Sequence, residues 1–135
     1  MDKKYLKKII AQSPDDLQII SACCFKAKVK INDIKFLPSN KIFLLSILRF
    51  NREENNSNNL INSVIRFEFI DSSKSRNIDQ GKTDLKLELI AIDLFKKDQN
   101  YEIILLFSKN AIITLTAEVI EVTLEDQNVL DVKNN

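Results

Sequence analysis

Lysine occupies every second position within residues 25–31, where it alternates with apolar residues. Lys26, Lys28 and Lys30 therefore share one face of a predicted half-buried strand, because strand side chains alternate between two faces. The strand rise spreads the charges over about 13 Å, a spacing that can follow a phosphate backbone. A lysine row is also an ordinary way to keep a strand face soluble. We favour that interpretation, because no aromatic residue interleaves the lysines for base stacking.

Arginines form a second set of candidate binding residues, because a guanidinium donates a fork of hydrogen bonds to carboxylates and phosphates. Arg49 and Arg52 close a predicted strand, whereas Ser75, Arg76 and Asp79 lie in a predicted loop. If this loop folds back over the strand end, these side chains make a polar cluster. The alternative is an internal salt bridge, between Arg76 and Asp79 or between an arginine and a glutamate.

The sequence lacks the residues on which several kinds of catalysis depend. It has no histidine, which excludes histidine acid–base catalysis, nucleophile–histidine pairs and histidine metal ligands. Its one glycine excludes the glycine-rich loops that cradle phosphates. Paired carboxylates such as Asp15 and Asp16 are explained by a helix start or an exposed turn. We therefore expect no catalytic residue, no metal and no cofactor, and we lean against an enzyme.

The two cysteines, Cys23 and Cys24, are adjacent in the chain. Neighbouring cysteines cannot form an ordinary disulfide without backbone distortion, and two are too few for a zinc site. We interpret them as reduced thiols that pack as small apolar residues. No signal peptide and no apolar run of membrane-spanning length are visible, so we predict a cytoplasmic protein without membrane contact.

Charge is unevenly divided along the 135 residues, although the net charge is only +1. Residues 1–49 carry ten lysines and arginines against four acids, and residues 50–135 carry ten against fifteen. A basic first third can meet an acidic partner such as a nucleic acid. The simpler interpretation is that the two parts fold together and offset each other.

The elements that must position these residues are mostly strands. The run Ser13-Pro14-Asp15-Asp16 predicts a helix start, and this one N-terminal helix should span about residues 14–24. Alternating or apolar runs predict seven or eight strands, at residues 6–12, 25–31, 34–37, 41–50, 63–71, 84–95, 101–107 and 111–125. The asparagine-rich residues 51–62 and the polar residues 72–82 read as long loops.

Two of the strands carry a slip in their apolar phase. One lies between Leu89 and Ile90 and the other between Val119 and Ile120. A slip in a two-residue repeat indicates a bulge or a bend. Successive strands pair antiparallel, and bends curl a sheet. We therefore predict an α+β fold, mostly antiparallel, as a small curled sheet in a barrel or two layers. Residues 1–127 should form one domain, with residues 128–135 as a polar tail.

Several local patterns occur together along the chain. They are the acidic helix start into Leu17 with Ile20-Ser21-Ala22, the Leu37-Pro38 turn, the strand end Leu48-Arg49-Phe50-Asn51, the pair Ser75-Arg76 with Ile78-Asp79, and the ending Ile120-Glu121 with Leu124-Glu125-Asp126. In this combination, residues 6–127 resemble an uncharacterised bacterial family catalogued as domain of unknown function 2948. The resemblance implies no activity, cofactor or catalytic residue. The chain departs from it in the asparagine-rich loop and at residues 108–110, where we expect a glycine-rich turn.

Two functions from different classes follow from these observations. The first is a non-catalytic interaction or ligand-binding domain whose partner is a protein or a small anionic ligand. The alternative is a nucleic-acid-binding module that uses the basic N-terminal third. The candidate binding residues are Arg49, Arg52, Ser75, Arg76, Asp79, Lys26, Lys28 and Lys30.

Overall fold

The computed structural model describes residues 6–50 and 60–130, and within them it contains ten strands and one α-helix. Helix α1 (Pro14–Cys23) lies between the first two strands, and a 3-10 turn (Ile31–Asp33) follows the second. The strands are β1 (Lys8–Ala11), β2 (Ala27–Lys30), β3 (Ile34–Leu37), β4 (Ile42–Phe50), β5 (Leu60–Phe67), β6 (Ile70–Arg76), β7 (Lys86–Lys97), β8 (Asn100–Phe107), β9 (Ile112–Ala117) and β10 (Val122–Leu130). All of the strand pairings are antiparallel. The predicted α+β class with one N-terminal helix is confirmed.

The strands form one sheet in the order β1-β10-β5-β4-β2-β7-β8-β9-β6, with β3 also paired to β4. This path is open at β1 and β6. However, β6 directly continues β5 along the chain, and β10 directly continues β9. β5 pairs with β10 in one half of the sheet, and β6 pairs with β9 in the other. β6, the last strand in this order, is therefore the direct continuation of β5, the third strand, and the sheet curls to bring the two together. The predicted curled sheet is confirmed.

The curl arises in a bent two-stranded ribbon, in which the continuous stretch β5–β6 pairs with the continuous stretch β9–β10. The N–H of Glu68 donates to the carbonyl of Glu121 at 3.0 Å, and the N–H of Glu118 donates to the carbonyl of Phe69 at 3.2 Å. Two hydrogen bonds thus carry the pairing through the corner. Ala117 and Ile120 are both buried although they are three positions apart. The slip predicted between Val119 and Ile120 is confirmed as this bend.

Lys41, just before β4, contacts both strands of the bent ribbon near its corner. Its carbonyl accepts the N–H of Ile70 at 2.9 Å, so the start of β4 contacts the start of β6. Its Nζ lies 3.0 Å from a carboxylate oxygen of Glu118 and 3.1 Å from one of Asp71. Hydrogen bonds to Glu118 and then to Asp71 raise the pKa of Lys41. Lys41 therefore connects the start of β4 with the start of β6 and with the residue that follows β9.

The second predicted slip is a bulge in β7. The register with β8 shifts between Leu89 and Ala91. Leu89 and Ile92 are both buried, while Ile90 is 37% exposed. The bulge is confirmed, and Ile90 points outward as its extra residue. Helix α1 meets the strand here, where the Ser21 hydroxyl oxygen accepts the N–H of Ile92 at 3.0 Å.

Helix α1 begins as its sequence predicts. The Ser13 hydroxyl accepts the N–H of Asp16 at 3.2 Å, and Pro14 stands in the first turn. Such a cap satisfies one of the helix's free donors. Leu17, Ile20 and Cys24 are buried in the core. The helix thus covers the flank of the sheet where β2 begins and where β7, beyond Leu89, has no β2 partner on that edge.

A buried ion pair joins three strands. Arg49 of β4 and Asp126 of β10 are both fully buried, with Nε–Oδ1 at 3.1 Å and Nη2–Oδ2 at 2.8 Å. Ser63 of β5, the strand between them, donates its hydroxyl to Oδ1 at 2.7 Å. The N–H of Lys7 donates to Oδ2 at 2.8 Å and ties down the entry to β1. The geometry satisfies the carboxylate on both oxygens, as a buried charge requires.

The surroundings of Asp126 also set its titration. Burial raises the pKa, but hydrogen bonds from Arg49, Ser63 and the N–H of Lys7 outweigh burial and hold the pKa below its usual value. A carboxyl group with a depressed pKa stabilises the fold above its unfolded pKa. That stabilisation is lost as the pH falls through the folded pKa.

Strand pairing extends beyond the predicted boundaries in two places. Residues 72–76, predicted as a loop, form most of β6 and pair with β9. Residues 128–130, predicted as tail, pair with residues 60–62, which we expected in the asparagine-rich loop. The rest of that loop, residues 51–59, and residues 131–135 lie outside the described residues. All three misassigned segments, 60–62 included, are too short or too polar to show an apolar alternation, so only pairing with a distant strand reveals them.

We predict that Asp126→Asn lowers the free energy of unfolding by about 3–5 kcal/mol, because it leaves the Arg49 charge buried without a counter-charge. Urea denaturation at neutral pH measures this loss. In the native protein, stability should fall as the pH drops below about 4, the ordinary carboxyl range. The variant should lack this part of the pH dependence. Glu125→Gln, at the exposed neighbouring position, is the control, and an equal effect of the two substitutions would contradict the prediction.

We also predict that Ser21→Ala lowers the free energy of unfolding by about 1–3 kcal/mol, because it leaves the Ile92 N–H without its acceptor at the bulge. The same urea experiment measures this change. Gln18→Ala, at an exposed position of the same helix, should change stability by less than about 0.5 kcal/mol. A Ser21→Ala effect no larger than that of the control would show that the bulge does not depend on the hydroxyl.

Candidate functional site

A groove opens where β2 leaves β4. Only Lys28 and Leu48 pair between these strands. The pairing on this edge of β4 resumes at Ile34 and Leu45 of β3 and β4, and the 3-10 turn Ile31–Asp33 carries the chain across the gap. The resulting cavity has a volume of about 500 Å³. Its position follows directly from the break in the ladder.

The lining of the groove combines apolar walls, neutral polar groups and lysines. Val29, Ile47, Leu48 and Val64 supply the apolar part. The remaining lining residues are Lys28, Lys30, Asp33, Ser46, Asn62, Ser63, Lys86, Gln127 and Asn128. In the described lining three lysines therefore stand against one acid, and the groove suits a ligand that carries negative charge on an apolar body.

The lysines differ in their partners. Lys30 of β2 lies directly opposite Lys86 of β7, and like charges in this position are destabilising. Within residues 6–50 and 60–130, neither of these lysines has a carboxylate within salt-bridge distance. Lys28 lies opposite Glu88, with Nζ 3.5 Å from Oε2. Positive charge is therefore concentrated at Lys30 and Lys86.

Polar side chains on β5 and β10 form the far wall. Asn62 donates its side-chain N–H to the side-chain Oδ1 of Asn128 at 3.1 Å, which fixes the two side-chain amides relative to each other. Ser63 also lines the groove and donates to Asp126. The wall is thereby attached to the buried ion pair, and it should be rigid.

The structure divides the predicted lysine row. Lys28 and Lys30 stand on β2 and line the groove. Lys26 precedes the strand with a left-handed φ of 65°, and its N–H donates to the Leu89 carbonyl at 2.7 Å. Its Nζ lies 5.5 Å from the centroid of the Phe25 ring. The row therefore contains two strand lysines and not three, because the backbone turns before β2 begins.

The predicted arginine cluster is not brought together. Arg49 is fully buried in its pair with Asp126, Ser75 and Arg76 are exposed on β6, and Arg52 lies outside the described residues. Asp79 accepts the N–H of Gly81 at 2.9 Å, which closes a local turn. The role that the structure supports for Arg49 is thus internal.

Sequence reasoning predicted two of the polar residues that line the groove, Lys28 and Lys30, and missed the other seven described ones, which are Asp33, Ser46, Asn62, Ser63, Lys86, Gln127 and Asn128. Asn62 lies in the predicted loop and Asn128 in the predicted tail. Lys86 had a usable signal, since it alternates with Leu85 and Leu87 in a predicted strand. Its neighbour across the sheet, however, depends on the pairing of β2 with β7.

Within residues 6–50 and 60–130, no group of three or more cysteine, aspartate or glutamate side chains is placed to hold a metal ion. No helix in the same residues has the length and apolar character that crossing a membrane requires.

Comparisons with known proteins agree with the sequence resemblance. No curated protein and no solved structure matches the chain. The model of the family described as "Protein of unknown function (DUF2948)" matches residues 7–132, which is nearly the whole chain. Because the match covers all ten strands and the helix, the chain belongs to this family of unknown function.

Proposed function

We propose that this protein is a non-catalytic binding domain whose groove between β2 and β4 holds a small organic anion. The observation that carries the proposal is the pair Lys30 and Lys86, two cations directly opposite each other at the groove. Such a pair costs stability when the site is empty. An anion placed between the two ammonium groups removes that repulsion and forms charge-assisted hydrogen bonds.

The rest of the groove supports a ligand with an apolar body. Leu48 and Val64 are half-buried beside the lysines, and they can cover carbon atoms of the ligand. The amides of Asn62 and Asn128 offer a further donor and acceptors. A volume of about 500 Å³ lies within the usual range of small-molecule sites, about 300–1,000 Å³.

Two features favour a small anion over a nucleic acid, which is the alternative. Asp33 and Glu88 stand beside the lysines and would repel a continuous phosphate chain. Among the described residues no aromatic side chain lines the groove, so bases would find no stacking surface there. The free thiols of Cys23 and Cys24 support a cytoplasmic location for this binding domain.

The central prediction concerns Lys86→Glu. The substitution converts the like-charge pair with Lys30 into an opposite-charge pair, so the free energy of unfolding should stay the same or rise by about 0.2–1 kcal/mol. Anion affinity should fall by at least about tenfold, because a charge-assisted hydrogen bond is replaced by repulsion. A variant that is as stable as the native protein but binds poorly cannot be explained by misfolding.

The measurement is an amide chemical-shift titration with amphipathic carboxylates and phosphate monoesters, phenyl phosphate among them. Backbone shifts should cluster at Lys30, Lys86 and Asn62. Lys97→Glu is the matched control, since Lys97 is exposed at the end of β7 and outside the groove. Equal weakening by the two substitutions, or no groove shifts with any compound, would contradict the proposal. Tighter binding of oligothymidylate, with a steep salt dependence, would support the alternative.

A further inference from the structure

Strand β6 forms one open edge of the sheet, at the opposite end of the strand order from β1. Residues 72–76 pair in register with β9. In the described part of the chain, no backbone hydrogen bond reaches these residues from their other side. A strand edge of this kind presents donors and acceptors at the spacing of a missing neighbour.

The side chains on this edge have a definite order. Lys74 and Arg76 lie opposite Thr114 and Ile112 of β9, and Ser73 and Ser75 alternate with them. Leu115 and Ile113, opposite the serines, are buried. The two cations therefore share the outer face of the sheet, about 7 Å apart along the strand, while the serines share the inner face.

An apolar surface extends inward from the cations. In the outer row that starts at Arg76, Ile112, Leu106 and Ala91 follow on β9, β8 and β7. Phe95 of β7, which is 53% exposed, lies four positions beyond Ala91 on the same strand. Arg76, Ile112, Leu106 and Phe95 line a shallow groove of about 630 Å³ together with Lys74, Ser75, Asp93, Ile104 and Thr114. The surface thus has a mostly apolar floor, in which Asp93 is the one acid of the described lining, next to a basic edge.

We propose that β6 binds an extended acidic segment of a partner protein as an added strand. Backbone hydrogen bonds to residues 72–76 would supply the affinity, as in other cases of strand addition. Acidic side chains on the outer face of the segment would lie opposite Lys74 and Arg76, and opposite charges in cross-strand positions are stabilising.

Charge complementarity is the reason for this choice of occupant. Pairing of β6 with a second copy of itself, centred on Lys74 or Ser75, would set Lys74 against Lys74 or against Arg76. Such like-charge contacts disfavour a homodimer on this edge. An anionic extended segment meets no such repulsion, and the serines leave room for its inner side chains.

The probe is a labelled ten-residue peptide that alternates glutamate with valine. Fluorescence anisotropy should show binding, and amide hydrogen exchange should slow at alternate positions within residues 72–76. The same peptide with N-methyl groups on alternate backbone nitrogens keeps its charge but cannot complete the ladder. It should bind at least about tenfold more weakly, the equivalent of 1.4 kcal/mol.

Matched variants locate the site on the protein. Lys74→Glu with Arg76→Glu should weaken peptide binding by at least about tenfold. Lys35→Glu with Lys97→Glu, which makes the same charge change at exposed positions outside both grooves, should change it by less than about twofold. Lys86→Glu should leave peptide binding intact, so this proposal and the anion groove can fail independently.

Three results would overturn the proposal. One is equal binding of the native and N-methylated peptides, which would reduce the interaction to charge alone. Another is slow amide exchange in residues 72–76 without peptide, together with a dimer in sedimentation, which would assign the edge to a second copy. The third is exchange that remains fast at these amides when the peptide is saturating.

Discussion

The charge of Arg49 has to be neutralised inside the protein, and much of the structure follows from the way this is done. Asp126 supplies both carboxylate oxygens, Ser63 donates to one of them, and the backbone of Lys7 donates to the other. The pair therefore cross-links β4, β5 and β10 and anchors the chain at the entry to β1. A buried pair of this kind adds little net stability over an apolar packing, but it fixes register, because either charge alone would be costly.

The bent ribbon has the complementary role of turning a flat sheet into a curled one. Because β5 and β6 form one bent strand, the pairings made with β10 and with β9 lie in different halves of the sheet. The bulge in β7 and the helix on its flank accommodate the same curvature. Two consequences matter for binding. The ladder between β2 and β4 opens into a groove, and β6 is left with an open edge.

Local patterns in the sequence predicted the elements that depend on neighbours along the chain. The cap at Ser13, the phase slips near Leu89 and Val119 and the final hairpin each depend on residues a few positions apart. The segments that failed include the polar residues 72–76 and the short run 128–130, whose identity as strands comes from their partners on β9 and β5. No periodicity marks such segments, because their successive residues do not alternate clearly between apolar and polar.

The sequence by itself determined the α+β class, the N-terminal helix, the two bends and the absence of histidine chemistry, since composition and short-range periodicity carry that information. Only the tertiary structure decided that Arg49 is buried, that Lys26 turns away from Lys28 and Lys30, and that Lys86 lies opposite Lys30. These outcomes depend on the pairing of strands that are distant in the chain. The physical reason is that burial and like-charge contact are properties of neighbours in space, and the curl of the sheet selects those neighbours.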